Sequence, residues 1–183
     1  MTWIILGVLV LLAVFVIGVY NGLVKLKVLA NNAWSDIDVQ LKRRYDLIPN
    51  LVETVKGYAG HERATLENVT RARQQAVELR GGTPEQRAAA ENALTQTLRS
   101  LFAVSENYPQ LRANENFKDL QSTLNSLEDA IQNARRYYNA VVRDLNTKID
   151  MFPSNIVANM FRFEHRQFFE LAEAERAAPK VQF

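Results

Sequence analysis

The sequence predicts an all-α protein in which an N-terminal transmembrane helix is followed by an elongated antiparallel bundle of about four long helices and a short helical C-terminal tail. Two observations lead to this fold class. The first 20 residues carry no charged side chain, and beyond them apolar residues recur at helical spacing, with no stretch alternating as a half-buried strand would. A length of 183 residues is enough for one core and an anchor.

The apolar run from Trp3 to Val19 is long enough to cross a bilayer, because about 20 residues of helix rise about 30 Å. A cleaved signal peptide would need a basic start and a small-x-small cleavage site, and neither is present, so cleavage is not expected. A buried core helix would show a polar stripe, which this run lacks. Trp3 and Tyr20 lie near its ends, where aromatic rings suit the headgroup level.

Basic residues follow the apolar run and do not precede it, beginning with Lys25 and Lys27. The positive-inside tendency therefore predicts a single-pass protein of the inner membrane with its N-terminus outside and its bundle in the cytoplasm. The formal net charge is only +2, with acidic and basic residues interleaved, so the sequence does not predict a nucleic-acid partner.

The first soluble helix is predicted to continue out of the membrane, with a kink around residues 47–50 because Pro49 removes one backbone hydrogen bond. A second helix is predicted from about His61 to Leu79, ended by two glycines at positions 81 and 82.

A third helix is predicted to begin at Thr83-Pro84-Glu85-Gln86, which has the pattern of a capping box, and to stop at Tyr108-Pro109. A fourth should start near Asn114 and end at Pro153. It carries a heptad-like apolar stripe typical of antiparallel bundle or coiled-coil packing: Phe117, Leu120, Leu124, Leu127, Ile131, Ala134, Tyr138, Val141 and Leu145. We therefore expect three parts: an anchor over residues 1–22, a bundle over residues 23–153 and an aromatic-rich segment over residues 154–183 with a frayed end.

The residues for the common catalytic and metal sites are missing from the sequence. Without cysteine there is no thiol nucleophile or thiolate site, and neither His61 nor His165 has the Glu three residues before it that a di-iron bundle needs. No glycine-rich phosphate loop is present. We expect no enzyme activity, no metal and no cofactor, with a hydrolase site at His61, Glu62 and Arg63 as a remaining alternative.

Two features suggest association. Gly18 and Gly22 form a small-x-x-x-small pair that would let two membrane helices approach closely. The C-terminal segment could dock on its own bundle, on the membrane surface or on a neighbouring subunit through four aromatic side chains: Phe161, Phe163, Phe168 and Phe169.

The segment over residues 33–52, AWSDIDVQLKRRYDLIPNLV, closely resembles the signature of the LemA family. Further similar segments are KGYA at residues 56–59, ENYPQL at 106–111 and RYYN at 136–139. The resemblance implies a bacterial or archaeal single-pass membrane protein with an up-and-down helical bundle, and it implies no catalytic or ligand residue. Four polar positions of the motif are candidates for interaction: Asp36, Asp38, Arg43 and Arg44.

Together these observations favour a membrane-anchored, non-enzymatic scaffold or interaction module at the bacterial cell envelope, forming a homo-oligomer or binding another membrane or envelope protein. The alternative is a sensory or ligand-binding module that takes a small molecule or peptide between helices near the kink at Pro49.

Overall fold

A computed structural model describes residues 1–169, and within that range every regular element is helical, which confirms the predicted fold class. The predicted frayed end lies outside the described residues. The helices are α1 (Thr2–Lys56), α2 (Arg63–Glu78), α3 (Pro84–Ser105), α4 (Pro109–Ala113), α5 (Glu115–Asp150) and α6 (Ser154–Met160).

The first helix continues through Pro49 without ending, and α2 supplies the hydrogen bond that the proline cannot make. A residue at position 49 would normally donate its N–H to the carbonyl of Tyr45, one turn earlier. That carbonyl instead accepts from Nε of Arg73 at 2.7 Å. The proline therefore creates a free acceptor that joins α1 to α2.

The helix ends show how well local sequence signals predicted where each helix begins and stops. The predicted capping box is confirmed, since Thr83 Oγ1 accepts from the N–H of Gln86 at 3.3 Å and Gln86 Oε1 accepts from the N–H of Thr83 at 3.0 Å. The second helix begins two residues later than predicted, at Arg63, and ends in a single 3-10 turn over Leu79–Gly81. Pro109 stops one helix as expected, but it also begins the short α4, because its fixed φ suits the first turn of a helix.

The chain divides into two compact units, and α1 and α5 contribute residues to both. Unit 1 comprises Met1–Asp36 and Ala134–Phe168, and unit 2 comprises Ile37–Asn133 with Phe169. The three-part division predicted from the sequence stays a prediction.

Unit 2 is an up-and-down arrangement of segments of α1, α2, α3 and α5, with the short α4 between the last two. Position 45 of α1 lies beside Arg73 of α2, and Tyr58, just after α1, lies beside Asn114 at the start of α5, so both helices run opposite to α1. Its core is mostly aliphatic, with the rings of Tyr45, Phe117 and Phe169 also buried in the unit. The buried aliphatic side chains include Ile37, Leu41, Ile48, Leu51, Val55, Val69, Leu94, Leu101, Leu111, Leu124 and Ile131.

Unit 1 joins the N-terminal part of α1 to the second half of α5, which runs antiparallel to it. Its core is built from Leu23, Leu145, Ile149 and Ala158, with Val19, Leu26 and Phe163 packed against it. The ring of Trp34 lies 5.1 Å from that of Tyr138, so the tryptophan of the motif is a packing residue in this unit.

The C-terminal segment docks on unit 1. Helix α6 ends in a Schellman motif, in which Arg162 has a left-handed φ of 53°, the N–H of Phe163 donates to the carbonyl of Ala158 at 2.9 Å and the N–H of Arg162 donates to that of Asn159 at 3.2 Å. The turn directs Phe163 onto the core at Ala158. Beyond it, the side-chain amide of Asn146 pairs with both backbone groups of Arg166, each at 2.9 Å.

Replacing Arg73 by Met should destabilise the protein by about 1–3 kcal/mol, because the carbonyl of Tyr45 would be left without a donor. In a Pro49→Ala background the same change should cost much less, since an alanine at this position restores the helical N–H. The free energy of unfolding, measured by denaturant titration of the full-length protein in detergent, gives both values. Arg71→Met, at an exposed site on the same helix, is the control, and an equal cost of Arg73→Met in both backgrounds would contradict this role.

Candidate functional site

A buried ionic cluster in unit 2 is built around Arg44, one of the four motif positions singled out above. Leu41, Arg44 and Ile48 are spaced three and four residues apart, so they share one face of α1, and this face is turned to the core. Arg43, one position earlier, is exposed. Helical periodicity alone therefore separates two adjacent arginines into a core residue and a surface residue.

The guanidinium of Arg44 reaches both α3 and α5. Its Nη2 donates to the carboxylate of Glu91 on α3, and its Nη1 donates to Glu128 Oε2 on α5 at 2.7 Å and to Thr95 Oγ1 at 3.1 Å. The side chains of Arg44 and Glu91 are each 1% exposed, and that of Glu128 is 26% exposed. One cation thus connects three helices inside the unit.

Tyr45 adds a second donor to the same carboxylate. Its hydroxyl donates to Glu91 Oε1, while Arg44 binds Oε2, so both carboxylate oxygens are occupied. Burial raises the pKa of Tyr45 well above its ordinary value, and the negative charge of Glu91 raises it further. The phenol is therefore held protonated as a hydrogen-bond donor.

A second ion pair joins α1 to α3 with its charges reversed. Arg87 of α3 is buried and donates to Asp38 of α1. Arg87 and Glu91 are four residues apart, so a slide of α3 by one turn would bring Arg87 towards Arg44. Because like charges repel at such a site, the two pairs together favour a single register of the helices.

The structure brings two of the four motif candidates into the ionic cluster and leaves the other two outside it. Asp38 and Arg44 belong to the cluster, whereas Asp36 and Arg43 are exposed. The sequence analysis missed Arg87, Glu91 and Glu128. A signal existed for two of them, because Arg87, Glu91, Leu94 and Leu98 follow a four-three-four spacing that places two charges within the apolar stripe of α3.

The cluster is arranged as a clamp, in which opposite charges hold three helices together. The carboxylate of Glu91 already accepts from two donors and is shielded from water. Within residues 1–169 no group of His, Asp and Glu side chains is placed to hold a metal ion.

The three residues of the hydrolase alternative have separate surroundings. Glu62 Oε1 accepts from the hydroxyl of Tyr108 at 3.0 Å, and this hydrogen bond raises the pKa of Tyr108. His61 and Arg63 are exposed. Glu62 therefore joins the turn after α1 to the turn before α4.

The two glycines of the predicted association pair have different surroundings. A Cβ added to Gly18 would meet nothing within 4 Å, whereas one added to Gly22 would clash with Nζ of Lys148 on α5.

The four aromatic candidates of the C-terminal segment also differ in their surroundings. Phe163 packs on the core of unit 1, Phe169 is fully buried, and Phe161 and Phe168 remain partly exposed. Self-association through these residues stays a prediction.

A family model described as the LemA family matches residues 33–183. The chain belongs to the LemA family. Among curated relatives, Protein LemA of Metamycoplasma hominis is 26% identical over 147 residues, covering 79% of this chain and 66% of its own.

Two magnetosome proteins named MamQ, one from Paramagnetospirillum magneticum and one from Magnetospirillum gryphiswaldense, are 25% and 24% identical. Each match covers 82% of this chain, which spans 64% of their length. The apolar start of α1 is long enough to cross a membrane, and in this LemA-family protein it fits an anchor.

Replacing Arg44 by Met should destabilise this LemA-family protein by about 3–5 kcal/mol, because Glu91 would keep a buried charge without its cation. The matched control is Arg43→Met, which removes the same charge from the adjacent exposed site and should change the free energy of unfolding by less than about 0.5 kcal/mol. If the two variants lost the same free energy of unfolding, Arg44 would contribute no more to stability than a surface charge does.

The raised pKa of Tyr45 predicts a loss of stability at alkaline pH. Above the pKa of a free tyrosine, about 10, the unfolded chain ionises while the buried phenol stays protonated, so stability falls by up to about 1.4 kcal/mol per pH unit for this group. Below that pH the contribution is fully present. Denaturant titrations between pH 8 and pH 11 should show a shallower decline for Tyr45→Phe, with the exposed Tyr137→Phe as control; parallel declines in all three proteins would contradict the assignment.

Proposed function

We propose that this LemA-family chain is a membrane-anchored, non-enzymatic scaffold that self-associates at the bacterial cell envelope. The observation that carries the proposal is an uncovered small-residue face on the anchor. Gly7 and Gly18 are eleven residues apart, which at about 100° per residue places them within about 20° of each other on the helix. A Cβ added to either would meet nothing within 4 Å.

This face suits contact with the anchor of a second copy. Helices in a bilayer associate through close backbone approach, which small residues permit. Because Lys148 lies over Gly22, that residue faces α5 of its own chain. The proposal therefore uses Gly18 with Gly7 for the contact between copies, in place of Gly18 with Gly22.

The clamp at Arg44 supports a scaffold more than a reaction centre. Its charges are occupied by one another, and they hold three helices of unit 2 in one register. When the helices of unit 2 are held in one register, the unit presents the same surface to every partner. Assembly requires such a constant surface. Two of the relatives are named as magnetosome proteins, and their names specify no reaction.

We place the bundle on the cytoplasmic side of the inner membrane. Lys25 and Lys27 are exposed just beyond the apolar stretch, where basic residues tend to stay in the cytoplasm.

A second candidate, ligand binding near Pro49, is favoured by an open groove in unit 2. The groove has a volume of about 980 Å³ and begins at Val52, one turn beyond the proline. Its charged lining contains both signs: Glu53 and Glu67 against Lys56, Arg63 and Arg71. Such a lining would suit a small zwitterionic molecule or a peptide.

The mass of the full-length protein in a mild detergent, measured by light scattering over a wide concentration range, should be that of a defined multimer. Gly18→Ile should shift it to smaller species, because a branched side chain would separate the anchors. Ala13→Ile is the matched control, since Ala13 is also exposed but lies about 140° round the helix. A monomer at every concentration would contradict the scaffold and leave the groove as the better candidate.

A further inference from the structure

An exposed apolar patch lies where α5 ends and α6 begins, within unit 1. Its members are Met151, Phe152, Ile156, Met160 and Phe161, and the side chain of Phe152 is 76% exposed. Ile156 and Met160 are four residues apart on α6, so they share one face of it, while Val157 and Ala158 face the core. We propose that this patch, referred to below as the α5–α6 patch, inserts into the interfacial layer of the lipid bilayer beside the anchor.

The depth of the patch follows from its contacts with α1. The ring of Tyr20 lies 4.7 Å from that of Phe161 and 5.8 Å from that of Phe163. Val19 packs against the core that contains Ile149 and Ala158. A span of about 20 residues that starts near Trp3 ends close to Gly22, so Val19 and Tyr20 lie at the boundary between hydrocarbon and headgroups. Phe161 must lie at the same level.

The antiparallel course of α5 places Met151 and Phe152 at that boundary or deeper. Lys148 lies beside Gly22. Each further residue of α5 then moves about 1.5 Å towards the anchor's apolar part, so its last residue, Asp150, lies about 3 Å deeper than Lys148, and Met151 and Phe152 follow directly. The side chains of methionine and phenylalanine suit that level, because the acyl chains of the lipids begin there.

The charges around the patch fit a headgroup layer. Arg162 is exposed between the two aromatic contacts of Tyr20, and Lys25 and Lys27 are exposed on α1. A basic rim around an apolar surface is the arrangement by which interfacial segments bind anionic lipid. His165 Nε2 pairs with Asp150 Oδ1 at 2.9 Å, so the acidic group that ends α5 has a partner of its own.

This inference rests on the membrane anchoring in the proposed function, and the test separates the two. The chain has no cysteine, so single-cysteine variants can carry one environment-sensitive dye each. The probed sites are Phe152→Cys and Ile156→Cys, with Tyr137→Cys as the matched control. Tyr137 is also a large side chain, 48% exposed, but it lies about four helical turns before Met151. Val10→Cys reports on the anchor.

The labelled full-length proteins are placed in nanodiscs of phosphatidylcholine and phosphatidylglycerol that contain a lipid quencher, held either near the headgroup or near the chain end. The dyes at positions 152 and 156 should be quenched several-fold more strongly by the shallow quencher than the dye at position 137. The dye at position 10 should respond more to the deep quencher.

Two results would overturn the inference. If positions 152 and 156 are quenched no more than position 137 while position 10 is quenched, the patch faces water or a second copy, and the anchoring stands. If position 10 also escapes quenching, α1 does not cross the bilayer, and both the anchoring and the seating of the patch are wrong.

Discussion

The pairing of Arg44 with Glu91 is the interaction on which the arrangement of unit 2 depends. An arginine cannot shed its charge, so once the helical period turns it to the core it must find a buried anion. Glu91 supplies that anion. Glu128 and Thr95 accept the hydrogen bonds of Nη1, and the hydroxyl of Tyr45 donates to the second carboxylate oxygen of Glu91. A well-packed apolar substitute could match this stability, so the advantage of the cluster lies in register. Aliphatic side chains alone tolerate a slide of one turn, and the reversed pair between Asp38 and Arg87 does not.

The same stretch of α1 contains the proline, and the two features are related. A proline inside a helix leaves one carbonyl without its donor, and here that carbonyl belongs to Tyr45, next to the central arginine. Arg73 binds it, so α2 is fixed to α1 at the level of the cluster. The conspicuous motif of this LemA-family chain thus combines side-chain and backbone devices that join helices, and it does not form an open site.

Unit 1 differs from unit 2 because α1 begins there with an apolar stretch suited to lipid and continues into a part suited to water. Within the apolar stretch every backbone group after the first turn is satisfied by the helix itself, as a bilayer requires. Just beyond it, Leu23 and Leu26 already pack on α5 and on the C-terminal segment. That segment is held by the Schellman turn at Arg162 and by Asn146, and the rings of Phe161 and Phe163 on either side of Arg162 lie against Tyr20. The helical core therefore begins at the exit of the anchor.

The sequence by itself determined the elements whose causes are local. A run without charge predicts the anchor, the Thr83 capping box starts α3 where expected, and the stripe from Phe117 to Leu145 identifies the buried face of α5. The family signature was also readable from the sequence, and it named four polar positions without separating Arg44 and Asp38, which form ion pairs in unit 2, from the exposed Asp36 and Arg43. Tertiary structure decided which partners these residues meet, since Glu91 and Glu128 lie 47 and 84 positions from Arg44. It also decided that Gly22 lies under Lys148 and that Phe163 packs on the core while Phe161 meets Tyr20. Periodicity specifies which face of a helix is buried, but the residue opposite depends on how distant segments are brought together, and no local pattern contains that information.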